Sequence, residues 1–421
     1  MEILSSYNLI IGVSIIIILS FLFNSISKKT NIPSVLMLIV LGVGINYMWE
    51  HWSEYFGPKP NFFPVLEILG IIGLIMIVLE ASLELELKKE KLVPILKSLA
   101  IALIGLVASA WVASMILLQF IPDMTMSSAL IYATPLSILS SAIIIPSVIG
   151  LKDSKKEFHI YESTFSDILG IMMFYFLTGK LNPEEDSGVA GFTFSLFLTI
   201  IISLIASYSI ILIFQKIKSQ VKLFLLIAVL LLLYAIGKQF HLSSLIIILI
   251  FGLVISNMQL FFRGYLSKYL IFKKAHHIYH ELHTLTAETA FVVRTFFFVI
   301  FGLTISIASL WDFNVAMVSV ILIASIYIIR FVILSIFIGK DIFPQLFIAP
   351  RGLITILLFY NIPVEAEIAG FEPGILLFVI IGTSLIMTAA MISNSKRANT
   401  AINRAKSKDV VITKHKAPSV E

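Results

Sequence analysis

A chain of 421 residues that is 59% hydrophobic, 13% charged and +1.02 in mean hydropathy is too apolar for a soluble domain. A soluble enzyme is thereby excluded, and the chain holds no cysteine, which removes disulfides and thiolate metal sites as well. The formal net charge of +5 could point to nucleic acid or simply to membrane topology, and its placement along the chain decides between them.

Apolar runs near 20 residues recur along the whole length. Each is long enough to cross ~30 Å of hydrocarbon at ~1.5 Å per residue, and backbone groups in lipid must bond internally, so each run is a helix. Thirteen spans are predicted: 8–24, 32–48, 63–83, 92–119, 126–149, 158–178, 190–214, 221–237, 242–262, 285–306, 313–338, 342–362 and 374–394. The first has no basic segment before it and no small-residue cleavage site after it, so it reads as a retained helix. The longest polar loop, 263–284, is too short for a further domain. The chain divides into a membrane domain, 1–395, and a basic cytoplasmic tail, 396–421, expected to be disordered.

Numbering the loops alternately with the N-terminus outside places 23 Lys and Arg inside and only Lys59, Lys180 and Lys238 outside. Basic loops stay cytoplasmic, so the split accounts for the net charge by topology. No nucleic-acid partner is expected.

Two spans are interrupted in their middles. The fifth carries Thr134-Pro135-Leu136-Ser137 followed by Ser140-Ser141; the twelfth carries Ala349-Pro350-Arg351-Gly352. Proline removes a donor and clashes with the preceding turn, and the freed backbone is tolerated at membrane depth only against protein or a water-filled cavity. The breaks lie seven spans apart, and an odd offset makes the two helices antiparallel. Paired interruptions in opposite halves point to a secondary transporter built from inverted repeats, with its site near the midplane.

Asp167 lies in the sixth span, roughly 14 Å from its cytoplasmic end at nine residues past Phe158. An ionisable group at this depth costs at least ~2.5–3.5 kcal/mol, which marks it as functional. Its carboxylate can hold either a proton or a small cation. Ser163, one turn earlier, shares its face and offers a second hard oxygen. Glu162 points elsewhere, on the face of Ser166, and reads as the partner of a buried cation. Three arginines are available in apolar runs: Arg294, Arg330 and Arg351. Arg330 lies at a depth Glu162 can reach. Arg351 sits at a break, where it can offset exposed carbonyls. Arg294 needs an acid from another helix, since Glu288 on its own helix is six residues away; Glu80 is one further acid. The run His276-His277-Ile278-Tyr279-His280-Glu281-Leu282-His283 can be read as a pH sensor, a metal site or an interfacial amphipathic segment. The amphipathic segment is the plainest reading, and no metal is expected.

Four stretches together resemble the monovalent cation:proton antiporter superfamily, in particular the sodium/hydrogen exchanger-like transporters. Glu162-Ser163-Thr164-Phe165-Ser166-Asp167 resembles the family's Glu-Ser-x-x-Asn-Asp signature. The others are Leu79-Glu80-Ala81-Ser82-Leu83-Glu84-Leu85, the segment Ile32-Pro33-Ser34-Val35-Leu36 through Leu41-Gly42, and Ala349-Pro350-Arg351-Gly352-Leu353. The resemblance implies an all-α polytopic protein of about 13 transmembrane helices, with inverted repeats, two crossing broken helices, an elevator-like core of six helices and a homodimer. It implies Asp167 as the shared proton/cation carboxylate, Ser163 as its helper and a Glu162–Arg330 pair. Two departures stand out: Ser166 replaces the family's Asn or Asp, and no acid occurs in 132–146, where the family often has Thr-Asp-Pro. Thr134, Ser137, Ser140 and Ser141 are the polar groups left there.

The expected ion- and proton-binding residues are thus Asp167, Ser163, Ser166, Thr134 and Ser137, with Glu162, Arg330, Arg351, Arg294 and Glu80 as structural or modulating charges. The expected activity is exchange of Na⁺ or K⁺ for H⁺ across the plasma membrane, electroneutral in its simplest form and without a cofactor, among lipid as the surrounding partner. The alternatives are a cation channel or uniporter, and a non-transporting sensor derived from an exchanger.

Overall fold

The computed structural model describes residues 6–414 except 31, 53–58, 86, 88, 149, 180, 182–187, 218–221, 240–243, 263, 265–267, 270 and 305–311. Lys88, Lys180, Lys218 and Arg263 of the loop charge pattern therefore lie outside the described residues. The helices are α1 (Ser6–Thr30), α2 (Ser34–His51), α3 (Phe63–Glu84), α4 (Leu92–Phe120), α5 (Met126–Ser137), α6 (Ser141–Ser147), α7 (Asp153–Gly179) and α8 (Gly188–Phe214). They continue as α9 (Lys222–Gln239), α10 (Ser244–Ser256), α11 (Met258–Phe261), α12 (Phe272–Thr304), α13 (Phe313–Phe337), α14 (Leu353–Tyr360) and α15 (Gly374–Lys414). No strand occurs among the described residues.

Among the described residues, ten helical stretches are long and apolar enough to cross a membrane, the pair α5–α6 acting as one of them. Three of the thirteen expected spans fall short of that measure for visible reasons. Helix α7 carries Glu162, Ser163, Thr164, Ser166 and Asp167; α10 has 13 residues; and 342–362 holds only a 3₁₀ turn, an extended stretch and the eight-residue α14. The last helix runs past the predicted span end at 394. Helix α15 runs on to Lys414, because no glycine or proline follows Gly382 before Pro418 and the segment after 394 is rich in Ala, Arg and Lys, which favour helix.

The helices pack in two groups. Helix α4 contacts α5, α7 and α13; α5 and α6 contact α7; α13 contacts α15; and α14 contacts α5 and α7. These are predicted spans 4–6 and 11–13, two triplets each with a broken middle member. In the second group α12 packs on α2 and α3, and α10 packs on α8, α9 and α3. The α2–α12 contact is a backbone contact: a Cβ on Gly42 would lie 2.1 Å from the Val299 carbonyl, and one on Gly302 2.4 Å from that of Ile39. Without a hydrophobic drive between helices in lipid, such close approach supplies dispersion contact in its place.

Candidate functional site

The site grows out of the two breaks. Pro135 has no N–H to give and its ring crowds the turn before it, so α5 ends at Ser137 and Ile138 turns extended (φ −76°, ψ 132°). The chain resumes as α6 at Ser141. In the second break a 3₁₀ turn, Gln345–Phe347, leads through Ile348, Ala349, Pro350, Arg351 and Gly352 into α14. The breaks touch each other. Ser140 N–H donates to the Pro350 carbonyl at 2.9 Å, and a Cβ on Gly352 would fall 2.4 Å from Ser140 Oγ. Arg351 fastens the crossing: Nε donates to the Leu136 carbonyl (2.8 Å), one terminal nitrogen to Ser137 (3.3 Å) and the other to Ala349 (2.7 Å). Its own backbone N–H donates to Thr383 Oγ1 of α15 at 3.1 Å. A guanidinium offers five donors in a fixed fork, which suits a place where helix ends leave carbonyls unbonded. Arg351 is almost completely buried, and its guanidinium donates to three backbone carbonyls.

Asp167 lies on α7 beside this crossing, 3% exposed. Among the described residues, neither of its carboxylate oxygens has a close hydrogen-bond partner. The Ser141 hydroxyl and backbone N–H face it from the start of α6, and the Ser141 hydroxyl is itself unbonded. Buried polar groups are nearly always hydrogen-bonded, so a carboxylate left bare in a packed interior is exceptional. Its neighbour Ser166 is committed: Leu139 N–H of the first break donates to its Oγ at 3.0 Å. That bond ties α7 to the unwound segment one residue from the carboxylate.

Glu162 has the opposite environment. Arg330 of α13 donates to both its carboxylate oxygens, at 2.7 and 2.9 Å, and also to the Gln345 carbonyl at 3.1 and 3.0 Å. This fork links α7, α13 and the entry to the second break. Glu162, Ser166, Ser137, Arg330 and Arg351 line one cavity of about 30 Å³, room for a water or two, walled by Ile326 and Ile333 of α13 and by Ala102, Gly105 and Leu106 of α4.

The other expected residues fall as follows. Ser163 is buried, and its hydroxyl donates to the His159 carbonyl at 2.7 Å and, more distantly, to Ile160. Thr134 donates to Leu130 and Ser137 to Ala133, each at i−4. None of these three bonds Asp167; each spends its proton on its own helix and leaves lone pairs. Arg294 of α12 reaches Glu80 of α3 at 3.5 Å and the Ala142 carbonyl of α6 at 3.4 Å, so the acid from another helix is Glu80. One group was not anticipated. His159 is fully buried on α7, with Nδ1 3.4 Å from Glu162. It precedes Glu162 by three residues, and that helical spacing was the signal available in the sequence.

The model of the family described as "Sodium/hydrogen exchanger, transmembrane" matches residues 14–395. Two solved structures of the sodium proton antiporter MjNhaP1 from Methanocaldococcus jannaschii are similar in fold. The structure at pH 8 has 19% identity and a TM-score of 0.69, over 93% of this chain and 100% of the other. The electron-microscopy structure has 18% identity and a TM-score of 0.68, over 94% and 97%. No curated protein sequence matches the chain. With broken helices that cross beside a buried aspartate and a family match over nearly its whole length, this multi-pass membrane protein belongs to the sodium/hydrogen exchanger family.

Proposed function

We propose that the chain is a secondary antiporter exchanging a monovalent cation, Na⁺ or K⁺, for H⁺, with Asp167 as the carboxylate both ions share. The observation that carries this reading is the bare, buried Asp167 carboxylate at the crossing of two broken helices. An ionised carboxylate cannot stay there alone, because isolated buried charge is far too costly; it must carry a proton or a cation. The two states are therefore mutually exclusive, and exclusivity is what couples the fluxes. Protonation releases the cation; deprotonation admits it. The hydroxyl oxygens of Ser163, Thr134 and Ser137 and the Ser141 group facing Asp167 are the hard oxygens at hand for a partly dehydrated Na⁺ or K⁺. Ser166 serves through its bond to Leu139, which holds the unwound backbone in register with the carboxylate. Glu162, Arg330, Arg351, Arg294 and Glu80 fix the frame. With one free carboxylate, one cation exchanges for one proton. No cofactor enters the cycle. The reading includes an external N-terminus, a cytoplasmic C-terminus, a plasma-membrane location and a homodimer in lipid.

A non-transporting descendant of an exchanger is the second reading, favoured by the lack of any acid in 132–146. Proton flux into sealed proteoliposomes, followed by an interior pH dye as Na⁺, K⁺ or Li⁺ is added in turn, separates the two. Flux that depends on one of these cations is expected and names the ion. Folded protein that moves no protons with any of them would establish the second reading, and a conductance needing no counter-ion would indicate a channel.

A further inference from the structure

Four of the chain's eight histidines fall within eight residues, at 276, 277, 280 and 283, on the N-terminal turns of α12. The structure sorts them by what they face. The His277 ring meets Glu281 at 3.1 Å, and His283 meets Glu84 of α3 at 3.4 Å. Glu281 also holds Lys222 of α9 at 3.1 Å, so its carboxylate is engaged. His276 and His280 face each other instead: their Nε2 atoms stand 2.9 Å apart, one helical turn along the same exposed face. Two histidines at i and i+4 on a helix are a recurrent way to present two imidazole nitrogens to one metal ion.

We propose that His276 and His280 form a two-nitrogen site for a divalent late first-row ion, reached from the aqueous end of α12. Nitrogens bound at 2.0–2.1 Å and 2.9 Å apart subtend about 90° at the ion. That angle fits adjacent positions of a square-planar or tetragonal ion, Cu²⁺ or Ni²⁺, better than the wider angle of tetrahedral Zn²⁺. The same order follows from the intrinsic affinities of these ions for nitrogen ligands. The rings are partly held in place. Phe272 stacks on His276 with centroids 5.7 Å apart and planes 10° from parallel, and Tyr279 packs edge-on against His280 at 5.2 Å. The Nε2–Nε2 hydrogen bond needs one ring to carry its proton on Nε2; on binding that proton moves to Nδ1, so that both neutral rings turn an Nε2 lone pair to the ion and no net proton is released. No group of three or more His, Asp or Glu side chains among the described residues is arranged to hold a metal. The pair fills two coordination positions and water the others, which makes the site open and its affinity moderate.

The test is Cu²⁺ and Ni²⁺ binding to the full chain in detergent, without a polyhistidine tag, in wild type and in the double variant His276→Ala, His280→Ala. The expected result is one Cu²⁺ per chain, bound at least about tenfold more tightly than in the double variant, with an electron paramagnetic resonance spectrum split by two imidazole nitrogens. His277→Ala and His283→Ala should leave that affinity unchanged. Equal binding in wild type and double variant, or a spectrum of wild type showing a single nitrogen, would overturn the site and leave His276 and His280 as an imidazole pair sharing a hydrogen bond. The wild-type spectrum decides without reference to how any variant folds. Neither result bears on ion exchange, which is measured separately.

Discussion

Asp167→Asn should reduce cation-dependent proton flux to that of protein-free vesicles while leaving the protein at least as resistant to heat as wild type. The two halves of this result have one cause. The amide has nearly the shape of the carboxylic acid but neither titrates nor neutralises a cation, so the exclusive states that couple the fluxes are lost. Yet among the described residues the acid it replaces has no close hydrogen-bond or ion-pair partner, only the Ser141 hydroxyl and N–H facing it. Removing a chargeable group from such a place relieves a desolvation cost and breaks no close bond. A residue kept for structure would show the reverse, with lower thermal stability tracking any loss of activity. Flux assayed in proteoliposomes, beside thermal unfolding of the same preparation in detergent, separates these outcomes. Asp167→Asn that transports like wild type would remove Asp167 from the mechanism.

Arg330→Met should behave in the opposite way, losing folded protein before any question of transport arises. The substitution strands Glu162, which is 1% exposed and receives both of its close hydrogen bonds from Arg330. Removing one member of a buried pair typically costs about 3–5 kcal/mol, because the remaining charge has neither water nor partner. It also takes away the two donors at the Gln345 carbonyl, where the second broken span begins. Replacing both charges, as in Glu162→Leu with Arg330→Met, should recover most of the loss, since a well-packed apolar pair can match a buried ion pair. Recovery should stay incomplete because the Gln345 carbonyl is still without its donors. The measurement is the midpoint of thermal unfolding for wild type, both single variants and the double variant. Single-variant losses that simply add in the double variant would show that the two residues do not act as a pair.

These two residues also show why part of the site could be read from sequence. Asp167 and Glu162 stand out because lipid makes almost every other residue of an apolar run replaceable by leucine, so charge there has to be explained. Proline marks the breaks because it removes a donor wherever it stands. Arg351 could be placed at a break, but the acceptors it reaches, Leu136, Ser137 and Ala349, are backbone carbonyls, and no side-chain identity encodes them. The hydroxyls were harder still. Ser163, Thr134 and Ser137 stand out as candidate ligands, but that each donates its proton to a carbonyl one turn back is a choice of rotamer that spacing does not determine. His159 passed unnoticed because a histidine near the start of a span resembles an interfacial residue; only the packing of α7 shows it fully buried against Glu162.

The central claim is that one carboxylate carries either the cation or the proton. The most direct measurement is the apparent KM of the transported cation as a function of pH, at equal pH on both sides, using cation flux in proteoliposomes. Competition for Asp167 predicts that KM rises about tenfold for each unit by which pH is lowered once the carboxylate is mostly protonated, with the maximal rate recovered by added cation. A KM that stays constant with pH while the maximal rate falls would contradict it, because proton and cation would then occupy separate sites.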